Sequence, residues 1–294
     1  MPRWLLFTLL AVVSWGLWAV ISKLIGDSVT PAQSQALSTI GLIPVMLALG
    51  VSRKSNATGN RRRGGFLAFL AGVLTCAGNV AYYHALNIGG KASTVVPLTA
   101  LYPLVTIALA VLVLQERFNA IQCAGVALSL LAIYLFNVPG VEGAANVWLL
   151  YAFIPLALWG VSGLLQKIST HDISGELSAL WFLAAFVPVS VVLLVAQPLN
   201  GPIATTTWLR VGALGLFFSL GNFAILLAFA GGGKASIIAP LAGLYPVVSV
   251  PIALVFLGEK IGPRETTGIA VALLSACALA WERPNASTPA RPSP

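Results

Sequence analysis

Residues Lys91-Ala92-Ser93-Thr94-Val95-Val96-Pro97-Leu98-Thr99-Ala100-Leu101-Tyr102-Pro103 return 143 positions later as Lys234-Ala235-Ser236-Ile237-Ile238-Ala239-Pro240-Leu241-Ala242-Gly243-Leu244-Tyr245-Pro246. Each copy runs on through apolar residues to an acidic–basic pair, Glu116-Arg117 in the first and Glu259-Lys260 in the second. The correspondence reaches back to Gly78-Asn79, answered by Gly221-Asn222, and forward to Gly125, answered by Gly268. Lysine, proline, tyrosine and glutamate stay in register throughout, so the chain consists of two related halves.

Composition settles the medium. Of 294 residues 58% are hydrophobic and 8% charged, with mean hydropathy +0.93, whereas a soluble domain carries about 25% charged residues. Apolar stretches long enough to cross a hydrocarbon core of ~30 Å recur along the chain, which makes it an all-α polytopic membrane protein. The net charge of +8 does not point to nucleic acid, because five of the sixteen Lys and Arg lie between Arg53 and Arg63. A short basic loop is an orientation signal that stays on the cytoplasmic side. Cys76, Cys123 and Cys277 form no C-x-x-C and read as packing residues. The first apolar run lacks a cleavage site and reads as a retained helix.

Ten spans are expected, near residues 4–25, 33–51, 66–88, 92–114, 120–138, 147–168, 176–196, 208–230, 235–257 and 264–281. The second is the weakest, since Gln33, Ser34 and Gln35 open it and Pro44 interrupts it. The halves divide as residues 1–138, a connector 139–146 and residues 147–281, followed by a Pro- and Ser-rich tail, 282–294, expected to be disordered. Five spans per half is odd, so the second copy enters the membrane upside down: two inverted five-helix repeats. Inverted repeats meeting around a midplane site are a recurrent plan for secondary transporters.

At ~1.5 Å rise per residue, Tyr102 and Tyr245, each eleven residues beyond a terminal lysine, reach the midplane, as do Trp15 and Trp159. Trp15, Trp18 and Ser22 share one helix face, and Trp159, Ser162 and Gln166 share its counterpart. Thr99 and Thr106 flank Tyr102, and Ser249 follows Tyr245. These stripes either line a cavity or join helices through polar contacts. Asn79 and Asn222 past mid-helix, and Tyr82 near the end of the third span, are further candidates for substrate contact. Pro97, Pro103, Pro240 and Pro246 should kink or loosen their helices, and matched interruptions in two halves point to a transporter's binding site; fixed packing kinks are the alternative. Lys91 and Lys234 sit at helix ends as interfacial anchors or as gates, with Lys23 and Lys167 in the same position. Glu116 and Glu259 read as solvated end charges. His84 is a candidate for proton coupling or a hydrogen-bonded interfacial residue. No Asp or Glu falls clearly inside a span, and no metal-ligand or paired-carboxylate set supports an enzyme, a metal or a cofactor.

Trp15-Gly16 and Trp159-Gly160, with the Ala-Ser-x-x-x-Pro-Leu-x-x-Leu-Tyr-Pro runs ending in Glu-Arg or Glu-Lys, make this sequence resemble the EamA type of the drug/metabolite transporter superfamily. The resemblance implies cytoplasmic termini and a central cavity lined mainly by the first, third and fourth helices of each half. It implies carriage of amino acids, other metabolites or drugs, commonly outward. Gln115, where the second half has Gly258, departs from the pattern at one helix end. Lys and Arg are confined to helix ends, which disfavours phosphorylated substrates.

The expected function is transport of a small neutral or zwitterionic, amino-acid-like molecule across the inner (cytoplasmic) membrane by alternating access, in the outward direction that the resemblance implies. Multidrug or other metabolite efflux by the same fold is one alternative, and a non-transporting scaffold or sensor another. Membrane lipid is the surrounding partner, and the sequence sets no oligomeric state. Cysteine labelling in intact cells should place positions 61–63 and the tail inside, and 140–146 and 197–207 outside; a basic loop found outside overturns the orientation but not the repeat.

Overall fold

Helices start where a side chain satisfies free amides and stop or break where glycine or proline removes a partner. The computed structural model describes residues 3–51, 57, 59–114, 119–136, 147–232 and 234–281. Within them lie α1 (Arg3–Ile25), α2 (Pro31–Gly50), α3 (Arg61–Asn87), α4 (Ala92–Thr99), α5 (Pro103–Leu114), α6 (Ala120–Phe136) and α7 (Val147–Asp172). They are followed by α8 (Gly175–Ala184), α9 (Phe186–Ala196), α10 (Thr205–Ala230), α11 (Ala235–Ala242), α12 (Pro246–Phe256) and α13 (Pro263–Leu279). The pairs α4–α5, α8–α9 and α11–α12 are each a single interrupted span, so the described residues form ten. Eight are long and apolar enough to cross a membrane; α6 and α13, at 17 residues each, reach the lower limit for crossing.

The weakest expected span is continuous. Thr30 accepts the Gln33 amide while Gln33 Oε1 accepts the Thr30 amide, a reciprocal capping box, and the polar start is used again as Gln33 Nε2 donates to the Pro198 carbonyl at 2.9 Å. Arg61 to Arg63 belong to the first turn of α3 and not to the preceding loop, because Asn60 caps that helix by accepting the Arg63 amide. Arg63 also lies 3.8 Å from Asp172 at the end of α7. Of the three cysteines, only Cys76 is buried, while Cys123 and Cys277 lie exposed on outer helix faces. The expected boundary segments 139–146 and 282–294, with Arg53, Lys54, Gln115, Glu116 and Arg117, lie outside the described residues.

Neither half closes on itself. The first span of each half lies along the eighth or third span of the other, α1 on α10 and α7 on α3, and α6 lies along α13. With no water to drive apolar helices together, close backbone approach must supply the attraction. A Cβ on Gly215 would fall on the Ser38 carbonyl oxygen, and one on Gly41 on the Gly212 carbonyl oxygen; at the matching crossing, a Cβ on Gly72 would fall on the Phe182 carbonyl oxygen. Gly72 and Gly215 are repeat counterparts, so the same notch is cut twice.

Gly215→Ala should therefore destabilise the protein by about 1–3 kcal/mol through overpacking, read as a lower unfolding midpoint in detergent. Gly212→Ala, which meets nothing within 4 Å, should leave the midpoint in place.

Candidate functional site: a midplane cavity between the halves

The two interrupted spans of the duplicated motif meet at their breaks. After Thr99 the chain tightens into three-residue turns, with Leu101 N–H donating to the Leu98 carbonyl and Tyr102 N–H to the Thr99 carbonyl at 3.0 Å. Leu244 to Leu241 and Tyr245 to Ala242 repeat the pattern. Pro103 and Pro246, which have no N–H to place, then open α5 and α12. The expected loosening is thus a full break, with Pro97 and Pro240 inside the short helices before it. A Cβ on Gly243 would stand 2.9 Å from the Ala100 carbonyl oxygen, so the breaks touch.

Each first helix grips the broken helix of the other half. A Cβ on Gly16 would meet Val248 and the Tyr245 carbonyl, and one on Gly160 would meet Val105 and the Tyr102 carbonyl. The adjacent indoles sit in glycine notches: a Cβ on Gly221 or on Gly78 would come within 2.5 Å of Nε1 of Trp15 or of Trp159, respectively. Trp15 meets both tyrosines edge to face, at 6.5 Å from Tyr102 and 6.3 Å from Tyr245, and Trp159 meets Tyr102 at 6.3 Å.

Around this cluster lies a cavity of about 50 Å³, room for a few water molecules. Trp15, Trp18, Tyr102, Trp159, Ser162, Gln166, Asn222 and Tyr245 line it together with Thr75, Gly163, Phe218, Ile225, Phe229 and Ala239. Among the described residues no Asp, Glu, Lys or Arg does. Thr75 and Ser162 hydroxyls lie 2.7 Å apart, and both donate toward the Ala71 carbonyl. Their protons being used, Ser162 is left to accept the Gln166 amide N–H at 3.1 Å. Gln166 Oε1 has no protein donor, nor do the Trp15 and Trp159 indole N–H groups find an acceptor. Unmet polar groups of this kind each cost about 1–3 kcal/mol.

The cavity is lopsided. It runs along α10 to Phe229, next to the last residue of that helix, and to Ala239 in α11, both near the end of the bundle that carries Arg61 to Arg63. Toward the far end nothing beyond Trp18 on α1 or Thr75 on α3 lines it. Trp18 stacks on Tyr82 at 4.9 Å and donates to the Tyr83 hydroxyl at 3.1 Å, and the Ser22 hydroxyl lies 3.4 Å from that of Tyr82. Residues 2–138 and 146–281 each match the EamA-like transporter family.

The chain belongs to that family. As an EamA-like protein it is similar over 130 residues, at 28% identity, to Uncharacterized protein MJ1333.1 of Methanocaldococcus jannaschii. That match spans 44% of this chain and 93% of the archaeal one, which is therefore about the size of one half. A solved crystal structure superimposes with TM-score 0.70 at 18% identity over 93% of this chain and 94% of its own, a likeness of fold.

Not every residue expected at an EamA-like site reaches the cavity. Tyr82 is fully buried behind Trp18, Asn79 is buried on the closed side, and Ser249 is buried between helices. Thr99 spends its hydroxyl on the Val95 and Val96 carbonyls and lies 3.4 Å from the Tyr245 hydroxyl. His84 packs edge-on against Tyr151 at 4.3 Å, away from the cavity. Lys91 and Lys234 flank α4 and α11 at their starts, not the cavity. Lys23 and Lys167 close the third helices of their halves, donating to the Leu86 and Gly90 carbonyls and to the Phe229 carbonyl. Glu259, expected as a solvated charge, instead receives the Ala92 and Ser93 amides at 2.8 Å each. Sequence reading passed over Thr75, Phe218, Ile225 and Phe229. Thr75 carried a signal, a hydroxyl where its counterpart Phe218 has a ring.

Gly78→Ala and Gly221→Ala should each displace an indole toward the cavity. Tryptophan emission should shift and transport should fall while elution stays monodisperse; unchanged emission means that the notches do not hold the rings.

Proposed function

We propose that this chain is a secondary transporter of a small neutral or zwitterionic, amino-acid-like metabolite, moved outward across the cytoplasmic membrane by alternating access. The observation that carries the reading is the cavity's chemistry: aromatic faces, hydroxyls and amides drawn from both halves, with no fixed charge among the described residues. A phosphate or a dicarboxylate would find no cation there, whereas a molecule with its own N–H and apolar bulk would meet the Gln166 carbonyl and the rings of Trp15, Tyr102, Trp159 and Tyr245. Displacing a few waters into bulk adds to that affinity where apolar groups replace them.

Alternating access is supported by the unequal state of repeat counterparts. Asn222, Ile225, Phe229 and Ala239 line the cavity, while their counterparts Asn79, Tyr82, Leu86 and Val96, buried to the same degree, do not. Thr106 donates to the Gly160 carbonyl at 2.9 Å, while its counterpart Ser249 has no partner. Exchanging the two sets of environments produces a cavity extended toward the other end, at little cost in fold because the two halves already hold one geometry each. With the basic end taken as cytoplasmic, the cavity extends toward the side from which an export substrate is drawn.

Purified protein in liposomes, screened against a labelled amino-acid panel, should give saturable flux. Tyr102→Ala and Tyr245→Ala should weaken substrate affinity by about 1–3 kcal/mol each, since each removes a ring and a hydroxyl. Flux of bulky aromatic cations in place of amino acids would favour multidrug efflux; flux of neither, with a protein partner co-purifying, would favour a scaffold.

A further inference from the structure

The far end of the bundle carries charged groups that the cavity does not use. Glu259, in the connector after α12, takes the first two amides of α4, and Lys91 Nζ donates to the Lys260 carbonyl at 2.8 Å and pairs with Glu265 at 3.3 Å. Glu265 Oε2 in turn accepts the Gly262 amide at 2.7 Å and so caps α13. The broken helix of the first half is thus fastened to the last connector of the second by backbone capping and by charge together. α4 has no cap of its own, since Lys91 supplies no side-chain bond to it, and an eight-residue helix cut off at Ala100 depends on that borrowed carboxylate.

The repeat does not reproduce this arrangement in full. Glu116 answers Glu259 and Lys234 answers Lys91, but Glu265 is answered by Gln122. Gln122 performs the same capping, accepting the Asn119 amide at 3.1 Å, yet a neutral amide forms no ion pair. This position therefore carries a carboxylate at one end of the molecule and a neutral amide at the other, and the carboxylate is at the end away from which the cavity extends.

We propose that the Glu259–Lys91–Glu265 clasp is the catch that sets the carrier's resting conformer. It holds the far end shut, so the empty protein waits with its cavity open toward the basic end. The inference rests on the alternating-access reading above. Substrate must supply enough differential affinity to release the catch, and the charge difference between Glu265 and Gln122 sets the clasp position apart from its repeat counterpart.

The test uses repeat counterparts as reporters in a background with Cys76, Cys123 and Cys277 replaced. Leu86→Cys reports opening at the far end and Phe229→Cys opening at the basic end, read as rates of labelling by a water-soluble maleimide on full-length protein in liposomes. In the parent, position 229 should label faster. Glu265→Gln retains the Gly262 cap and should raise the rate at 86 and lower that at 229 by about two- to fivefold, the range for a partly exposed ion pair. Glu259→Ala should shift both by about fivefold or more, the effect of losing a helix cap. Unchanged rates in both variants, or a rise at 86 with no fall at 229, overturn the clasp as the catch. Trp18→Ala separates the two claims: reciprocal change there without change in the clasp variants sinks the clasp alone, and absence of reciprocity in every variant sinks alternating access. Unfolding midpoints near the parent's exclude general loosening.

Discussion

A peptide group inside hydrocarbon has no water to bond with, so every interruption of a helix must be closed by another part of the chain. Most of the architecture follows from this demand. The breaks before Pro103 and Pro246 are closed by three-residue turns, the start of α4 by Glu259, and the ends of α3 and α10 by Lys23 and Lys167. Charged residues in this chain are few, and several are spent on helix ends. The breaks sit where the two halves touch, so the least regular backbone is also the wall of the cavity.

The same scarcity explains the polar atoms left over. Trp15 and Trp159 lie in matched glycine notches with their N–H groups unpaired, Asn79 holds an unpaired oxygen, and so does Ser249, whose counterpart Thr106 makes a bond. A single rigid packing would have paired these groups or replaced them with apolar ones. The proposed exchange between two packings would keep groups that each packing satisfies only in part, in keeping with the place of these atoms on the helices around the cavity.

The duplication, the ten spans and the breaks were legible because each is a local property: a repeat, a run of apolar residues, a proline. Trp15, Trp18, Tyr102, Trp159, Ser162, Gln166, Asn222 and Tyr245 were legible as cavity wall through helical spacing and depth. Tyr82, Asn79 and Ser249 lie off the cavity wall, because depth along a helix says nothing about which side of the bundle packs tightly. Glu259 was misjudged because its partners, the amides of Ala92 and Ser93, lie in the other half, and no pattern within one helix announces a cap borrowed across 166 and 167 positions.

The crossing of the halves has a consequence for how the protein is made. With α1 seated against α10 and α7 against α3, the first five spans emerge from the ribosome with the grooves at Gly16, Gly41, Gly72 and Gly78 unfilled, and no core of their own is complete at that stage. Assembly is therefore post-insertional: the spans enter the bilayer one after another but lock only when the second half arrives. Until then, lipid tails or the insertion machinery must occupy those grooves. The connector between the halves needs only to keep them near each other, since the interlocked helices, and not the covalent link, define the finished carrier.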